Sequence, residues 1–515
     1  MAEEKTKKKK AGIIWRIFKW FGLTVLSVLI ILGLIFEAPW KIITLLAIVL
    51  LACTALPKPA RKYFWLSVGL VVIGLIIWVF LPEDTEGWRP YTFDEELAAI
   101  EAKRAIPDSE NAAIIYKRLL EDHDPNTMSR DFLVGELERL TRSEPWSSKD
   151  HPEIAEWLKG QQSTIAALLK ASKIEKYRFP IAADSAALSQ TMKRLSAMRS
   201  WARSLVHAAN NDLGENRIDQ ALEKQIALLQ MAKHLYQQPI IVNSLVGIAV
   251  EALAIKQFSR FIVTGDATEA HLSVIEKALA EIKHNWSYDL PRILEGEKLL
   301  AKNMLCSMAY EINPKGKARL NRFKYFKRSE YEYKGLKEGY LQKKLIKAKS
   351  ISRWFYIPST PQKLFKIIDA VHAKYYAMAE PDFDWTKGPE KSSPKFRFNY
   401  SYLVEHLAGV SEKMCYRIHE LYLRVTAEKR ASRIIIALRR YKNKNGYWPK
   451  SPDDIQSFAP AEIFIDPINK SNFVYKLIDE NFTLYSKGKN NIDEGGKRDK
   501  WDEEKTGADD WVIWP

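Results

Sequence analysis

Arg439-Arg440-Tyr441-Lys442-Asn443-Lys444-Asn445-Gly446-Tyr447-Trp448-Pro449 is the stretch whose reading decides the fold. Upstream of it, Ile418, Leu421, Val425, Ile434, Ile435 and Leu438 recur at helical spacing, so residues 411–443 read as one long helix with an apolar side. Gly446 stands where a helix stop is expected, and Pro449 bars continuation because proline has no N–H to donate. Beyond it, residues 473–477 and 482–486 alternate as half-buried strands do, with Asp479-Glu480-Asn481 as the turn. A loop rich in Gly, Asn and Asp follows, and the chain closes on Asp509-Asp510-Trp511.

This order resembles the C-terminal region of the major pseudopilin of type II secretion systems. Tyr441, Gly446, Trp448, Pro449, Asp466 and Pro467 match its helix stop and Asp-Pro turn. Leu484-Tyr485-Ser486-Lys487-Gly488, then Gly495-Gly496 and Asp509-Asp510, match its loop. The resemblance implies calcium in that loop, with Asn490, Asp493, Asp509 and Asp510 as side-chain ligands and carbonyls near Leu484 completing the shell. Calcium takes oxygen ligands, so the donor types suit it. Asn490 replaces the family's usual Asp, and Lys487, Lys489, Lys497 and Arg498 add opposing charge. The likeness spans residues 425–515 only. As a whole the chain resembles bacterial membrane proteins that join a helical domain to such a tail.

The head differs from a pilin. Residues 21–36, 42–56 and 63–81 are apolar runs, flanked by Trp20, Trp40, Tyr63, Trp65 and Trp78, the ring types found at membrane interfaces. Three successive runs and no small-residue cleavage pattern argue for a retained anchor rather than a signal peptide. Lys5 and Lys7 to Lys10 place the N-terminus in the cytoplasm; Lys58, Arg61 and Lys62 mark the second cytoplasmic loop. Three spans then leave residues 82–515 outside the cytoplasm, periplasmic where the cell has two membranes. Were residues 42–56 not to span, the topology would invert. The first 62 residues hold eleven Lys/Arg and three Glu, half of the chain's net charge of +16, so that charge does not argue for nucleic acid.

Between head and tail the pattern is helical. Residues 185–211 and 217–237 form an expected hairpin around Gly214, with Ala221, Leu222, Ile226, Leu229 and Leu235 on one face. Pro239 precedes a strongly apolar helix. Asn243, Ser244 and Glu251 interrupt it, so it reads as a core helix rather than a fourth span. Pro291 is expected to begin a further helix. Residues 315–349 carry thirteen Lys/Arg and three Glu, interleaved with aromatics, which suits a solvated basic face or contact with anionic lipid or wall polymer.

No catalytic or cofactor motif stands out. Cys415 and His419 share a helix face with His406 nearby, a pattern better explained by packing than by metal. Glu295 and Glu297 are two apart on a helix, so they do not face each other as an acid–base pair. Three cysteines give no disulfide framework; only Cys306 and Cys415 lie outside the apolar head.

The expected fold is mostly α: a three-helix membrane anchor (1–82), an irregular helical domain (90–312), a basic aromatic connector (313–400), and a small α+β pseudopilin-like module (401–515). The expected role is a non-enzymatic scaffold or interaction protein of the bacterial inner membrane, with membrane lipid and envelope proteins as partners. An envelope hydrolase and a lipid- or wall-polymer-binding protein are the alternatives.

Overall fold

In a computed structural model, the long helix of the tail ends at Asn445, and Gly446 follows with φ +86. The structure describes residues 87–122, 136–181, 185–320, 358, 360–389, 412–499 and 507–515. The three expected spans and most of the basic connector lie outside the described residues.

Among the described residues the protein is mostly helical, with two small antiparallel sheets. In chain order come β1 (Arg89–Pro90), α1 (Asp94–Lys103), α2 (Ala113–Glu121), α3 (Glu136–Ser143), α4 (Pro152–Gly160) and α5 (Gln162–Ser172). Next are α6 (Ser185–Gly214), α7 (Ile218–Tyr236), α8 (Ile241–Thr264), α9 (Glu269–Glu281) and α10 (Trp286–Ala309). β2 (Tyr310–Ile312), β3 (Ala318–Leu320), α11 (Pro361–Tyr376) and α12 (Glu412–Asn445) follow. β4 (Val474–Ile478), β5 (Asn481–Ser486) and β6 (Trp511–Trp514) close the chain.

Two compact units divide the chain. In the smaller, β2 pairs with β1 and β3, and the Tyr310 hydroxyl donates to the Pro358 carbonyl at 2.6 Å. The larger comprises Phe93–Leu300, His372–Pro389 and Ser411–Pro515, so the tail and the helical segment fold together. One continuous apolar core explains this. It runs from Tyr116 and Trp201 through Leu228, Phe258 and Ile262 to Ile434, Ile435, Leu438, Phe482 and Leu484.

α8 lies at the centre, against α6, α7 and α12. It is long and apolar enough to cross a bilayer, yet 61% of its most apolar window is buried in the protein. Asn243 and Glu251 on it are fully buried. The polar interruptions thus face protein, as a core helix requires. Ser259 and Ser432 hydroxyls meet at 3.0 Å across α8 and α12, and the Arg440 guanidinium forks onto Glu269 at 2.9 and 3.0 Å. These contacts fix the register of the tail helix on the rest.

Helix α10 begins at Trp286, earlier than Pro291 suggested, and Pro291 lies inside it. Proline there removes a single backbone donor, and the Asp289 carboxylate caps the helix start by accepting the Asn285 N–H. Further along, Gly296 packs on the chain before α8. A Cβ there would lie 1.6 Å from the Pro239 carbonyl oxygen, so only glycine allows this approach. Gly296→Ala is therefore expected to destabilise the protein by about 3 kcal/mol in urea unfolding; a loss near zero would show that α10 does not depend on this contact.

Candidate cation site and candidate ligand cleft

The C-terminal loop follows from the β4–β5 hairpin. β5 ends at Ser486, whose hydroxyl accepts the Gly488 N–H, and the chain turns out at Gly488 (φ +61). It returns through Asp510, whose N–H donates to the Lys497 carbonyl at 3.1 Å, into β6. Asp510 is fully buried; its Oδ2 accepts the N–H groups of Glu494 (3.0 Å) and Gly496 (2.8 Å). The Asn490 amide donates to Glu494 at 2.6 Å. Asp509 Oδ2 accepts the Lys489 N–H at 2.8 Å.

The four expected ligands are therefore not equivalent. Asn490 and Asp510 gather round Glu494, a carboxylate the sequence reading passed over. Asp493 turns away: it accepts the Tyr485 hydroxyl at 2.6 Å and pairs with the Lys476 ammonium at 3.1 Å. Those hydrogen bonds, the Tyr485 hydroxyl first, hold its carboxyl below the ordinary range.

Asp509 Oδ1 is buried without a hydrogen-bond partner, and the Glu494 and Asp510 carboxyls lie against each other. Burial, then the neighbouring Glu494, pushes the Asp510 carboxyl up to about 6. Unsatisfied buried acceptors beside a raised carboxyl are what a cation would relieve. Among the described residues, no three Asp, Glu, His or Cys side chains converge on one metal position. Were calcium to bind this loop, Glu494 and Asp510 are the side chains placed to hold it, and Asp493 does not join them.

The other sequence candidates resolve into packing. Cys415 is fully buried, and burial pushes its thiol up to about 12. His419 stacks on Trp385 at 3.6 Å between ring centroids, and burial holds it down to about 4. Neither Cys306 nor Cys415 is in a disulfide. Glu295 receives the Tyr376 hydroxyl and pairs with Lys298 at 2.6 Å. Glu297 points elsewhere, accepting the Ile241 N–H at the start of α8 at 2.7 Å, and burial raises it to about 7.

A larger feature had no sequence signal. A cleft of about 660 Å³ opens between α1, the extended segment 176–181, the end of α7 and the first turns of α10. Arg104, Lys176, Arg178, Lys233, Lys283 and Arg292 line it, against the carboxylates Glu281, Asp289 and Glu295. These cations come from segments far apart in the chain, so no spacing pattern could collect them.

Under one wall lies a buried charge network. Glu251 accepts the His284 Nε2–H at 2.8 Å and the Tyr236 hydroxyl at 2.6 Å. Burial would push its carboxyl up; His284, then Lys429 and Tyr236, outweigh burial and leave it below the ordinary value. No protein-family model, no curated protein and no solved structure matches this chain.

Two outcomes are expected. His284→Ala leaves Glu251 buried without its main partner and should cost about 3 kcal/mol, while adding Glu251→Ala should restore part of the loss. Denaturant unfolding of the single and double variants checks this; equal losses in both would contradict the network. Calcium at about a hundred times its Kd should raise stability by about 2.7 kcal/mol. Glu494→Gln with Asp510→Asn should abolish that calcium-dependent rise in Tm, and a rise of equal size in the variant would count against the site.

Proposed function

We propose that this chain is a non-enzymatic, membrane-anchored envelope protein that offers its C-terminal module to another envelope protein of pilus-like or secretion machinery. The observation that carries this reading is the open side of the C-terminal sheet. The strand order is β4–β5–β6, so among the described strands β4 is paired on one side only. Leu477 and Ile478 on it are 39% and 54% exposed. An edge of this kind presents free N–H and C=O groups to which an extended segment can add. Beside it runs an apolar groove of about 590 Å³, lined by Leu438, Ile455, Phe464, Phe473 and Tyr475 among others.

The likeness of this tail to a pseudopilin supports a partner of that class, and calcium on this reading fastens the loop between β5 and β6. The expected three spans would tether the module at the inner membrane with residues 82–515 outside the cytoplasm. Hydrolysis is the weaker reading. Each carboxylate lining the cleft is committed to a cation: Glu281 to Lys233 at 3.9 Å, Asp289 to Arg292 at 3.6 Å, and Glu295 to Lys298.

A photo-crosslinking residue at Ile478 of the full chain, in cells, is expected to capture a pilin-like protein. The same residue at Val274, exposed on α9, is the control. Equal labelling at both positions, or none at Ile478, would overturn the proposal.

A further inference from the structure

The cleft beside α10 gathers cations from several parts of the chain. Six cationic side chains and three carboxylates line it, and Glu101, Glu110 and Glu175 pair with four of the six cations from outside the lining. Three of the six are guanidiniums delivered by three different elements: Arg104 just past α1, Arg178 from the extended segment, and Arg292 from α10.

Two of these are fixed in place before any ligand arrives. Glu101, 13% exposed, takes Arg104 Nη1 on one oxygen and Arg178 Nε and Nη2 on the other. That same carboxylate accepts the Ile181 N–H at 3.1 Å, which ties the extended segment to α1. One carboxylate cannot saturate the N–H donors of two guanidiniums. Arg292 reaches the Tyr236 carbonyl through Nη2, and its buried Nε has no partner. Like-charge crowding is felt here: besides burial, Arg178 and Arg292 both lower the proton affinity of Arg104.

Ile100, Ile181, Ile282 and Leu299 add apolar surface to the lining. Tyr288, 65% exposed, stands at the mouth. A volume near 660 Å³ is several times that of a bare inorganic ion and falls in the range of small-molecule sites. The guanidinium N–H donors that these pairings leave over match the oxygens of a phosphate.

We propose that this cleft binds a phosphate monoester or diester of small organic size, its phosphate on Arg104, Arg178 and Arg292 and its carbon skeleton against the apolar side chains of the lining. The phosphate can be that of a soluble ester or of a phospholipid headgroup. It is a second binding surface, independent of the sheet edge at β4.

The test uses the full chain in detergent micelles, with sn-glycerol 3-phosphate in calorimetry and phosphatidylglycerol vesicles in flotation. Saturable binding of glycerol 3-phosphate, absent with glycerol, is expected. Arg292→Met should weaken it about tenfold or more, as loss of a charge-assisted hydrogen bond does. Lys283→Ala changes an exposed side chain at the rim and leaves folding intact, so it serves if Arg292→Met fails to fold; about threefold weakening is expected. Flotation that glycerol 3-phosphate competes away assigns the headgroup as the source; calorimetric binding without flotation assigns a soluble ester. No saturable binding in either arm, or binding undiminished in both variants, overturns the proposal.

Discussion

Glu251 is the constraint on which the larger unit depends. It is fully buried in the middle of α8, the most apolar of the described long helices. A carboxylate there is tolerable only if other elements bring charge and donors to it. They come from three directions: Tyr236 from the end of α7, His284 from the turn before α10, and Lys429 from α12. Lys429 in turn donates to the Ile282 carbonyl. Tyr422 closes the group with its ring 5.1 Å from His284. Four elements are thus held in one arrangement by one charge. Its folded pKa is lowered, so its contribution is present above the ordinary carboxylate range and is lost as pH falls through the lower folded value.

The same turn sets the cleft. His284 faces Glu251 on one side and lines the cleft on the other, and Tyr236 does the same. Arg292 reaches back to the Tyr236 carbonyl, satisfying an orphan acceptor at the end of α7. Gly296 lets α10 lie against Pro239, which brings Arg292 and Glu295 to the wall. The interior charge network and the surface cleft therefore share Tyr236 and His284.

Much of the fold was legible because local rules were obeyed. The apolar spacing of residues 185–237 marked α6 and α7, and the structure turns between them at Gly214–Arg217. Gly446 ended α12, and the alternation of residues 473–486 gave β4 and β5 with Asp479 (φ 51) in the turn. β6 escaped notice because four residues show no periodicity and pair only through a register shift against β5. Pro291 misled because proline marks helix starts on average, whereas here a side-chain acceptor at Asp289 lets the helix begin before it. At the loop, carboxylates could be counted but not aimed: Lys476, on the neighbouring strand, draws Asp493 away and leaves Glu494 beside Asp510.

The sequence by itself determined the helical character of the chain, the stop at Gly446, the hairpin after it and the acidic composition of the last loop, because each is written in residues close together. Tertiary structure decided that the tail shares one core with the helical segment, that Glu251 is neutralised by three distant partners, and that Arg104, Arg178 and Arg292 face a common cleft. The physical reason is range. Capping, turn formation and alternation act over a few residues, whereas desolvation and charge pairing act over a few ångströms of space between residues that only the packed fold brings together.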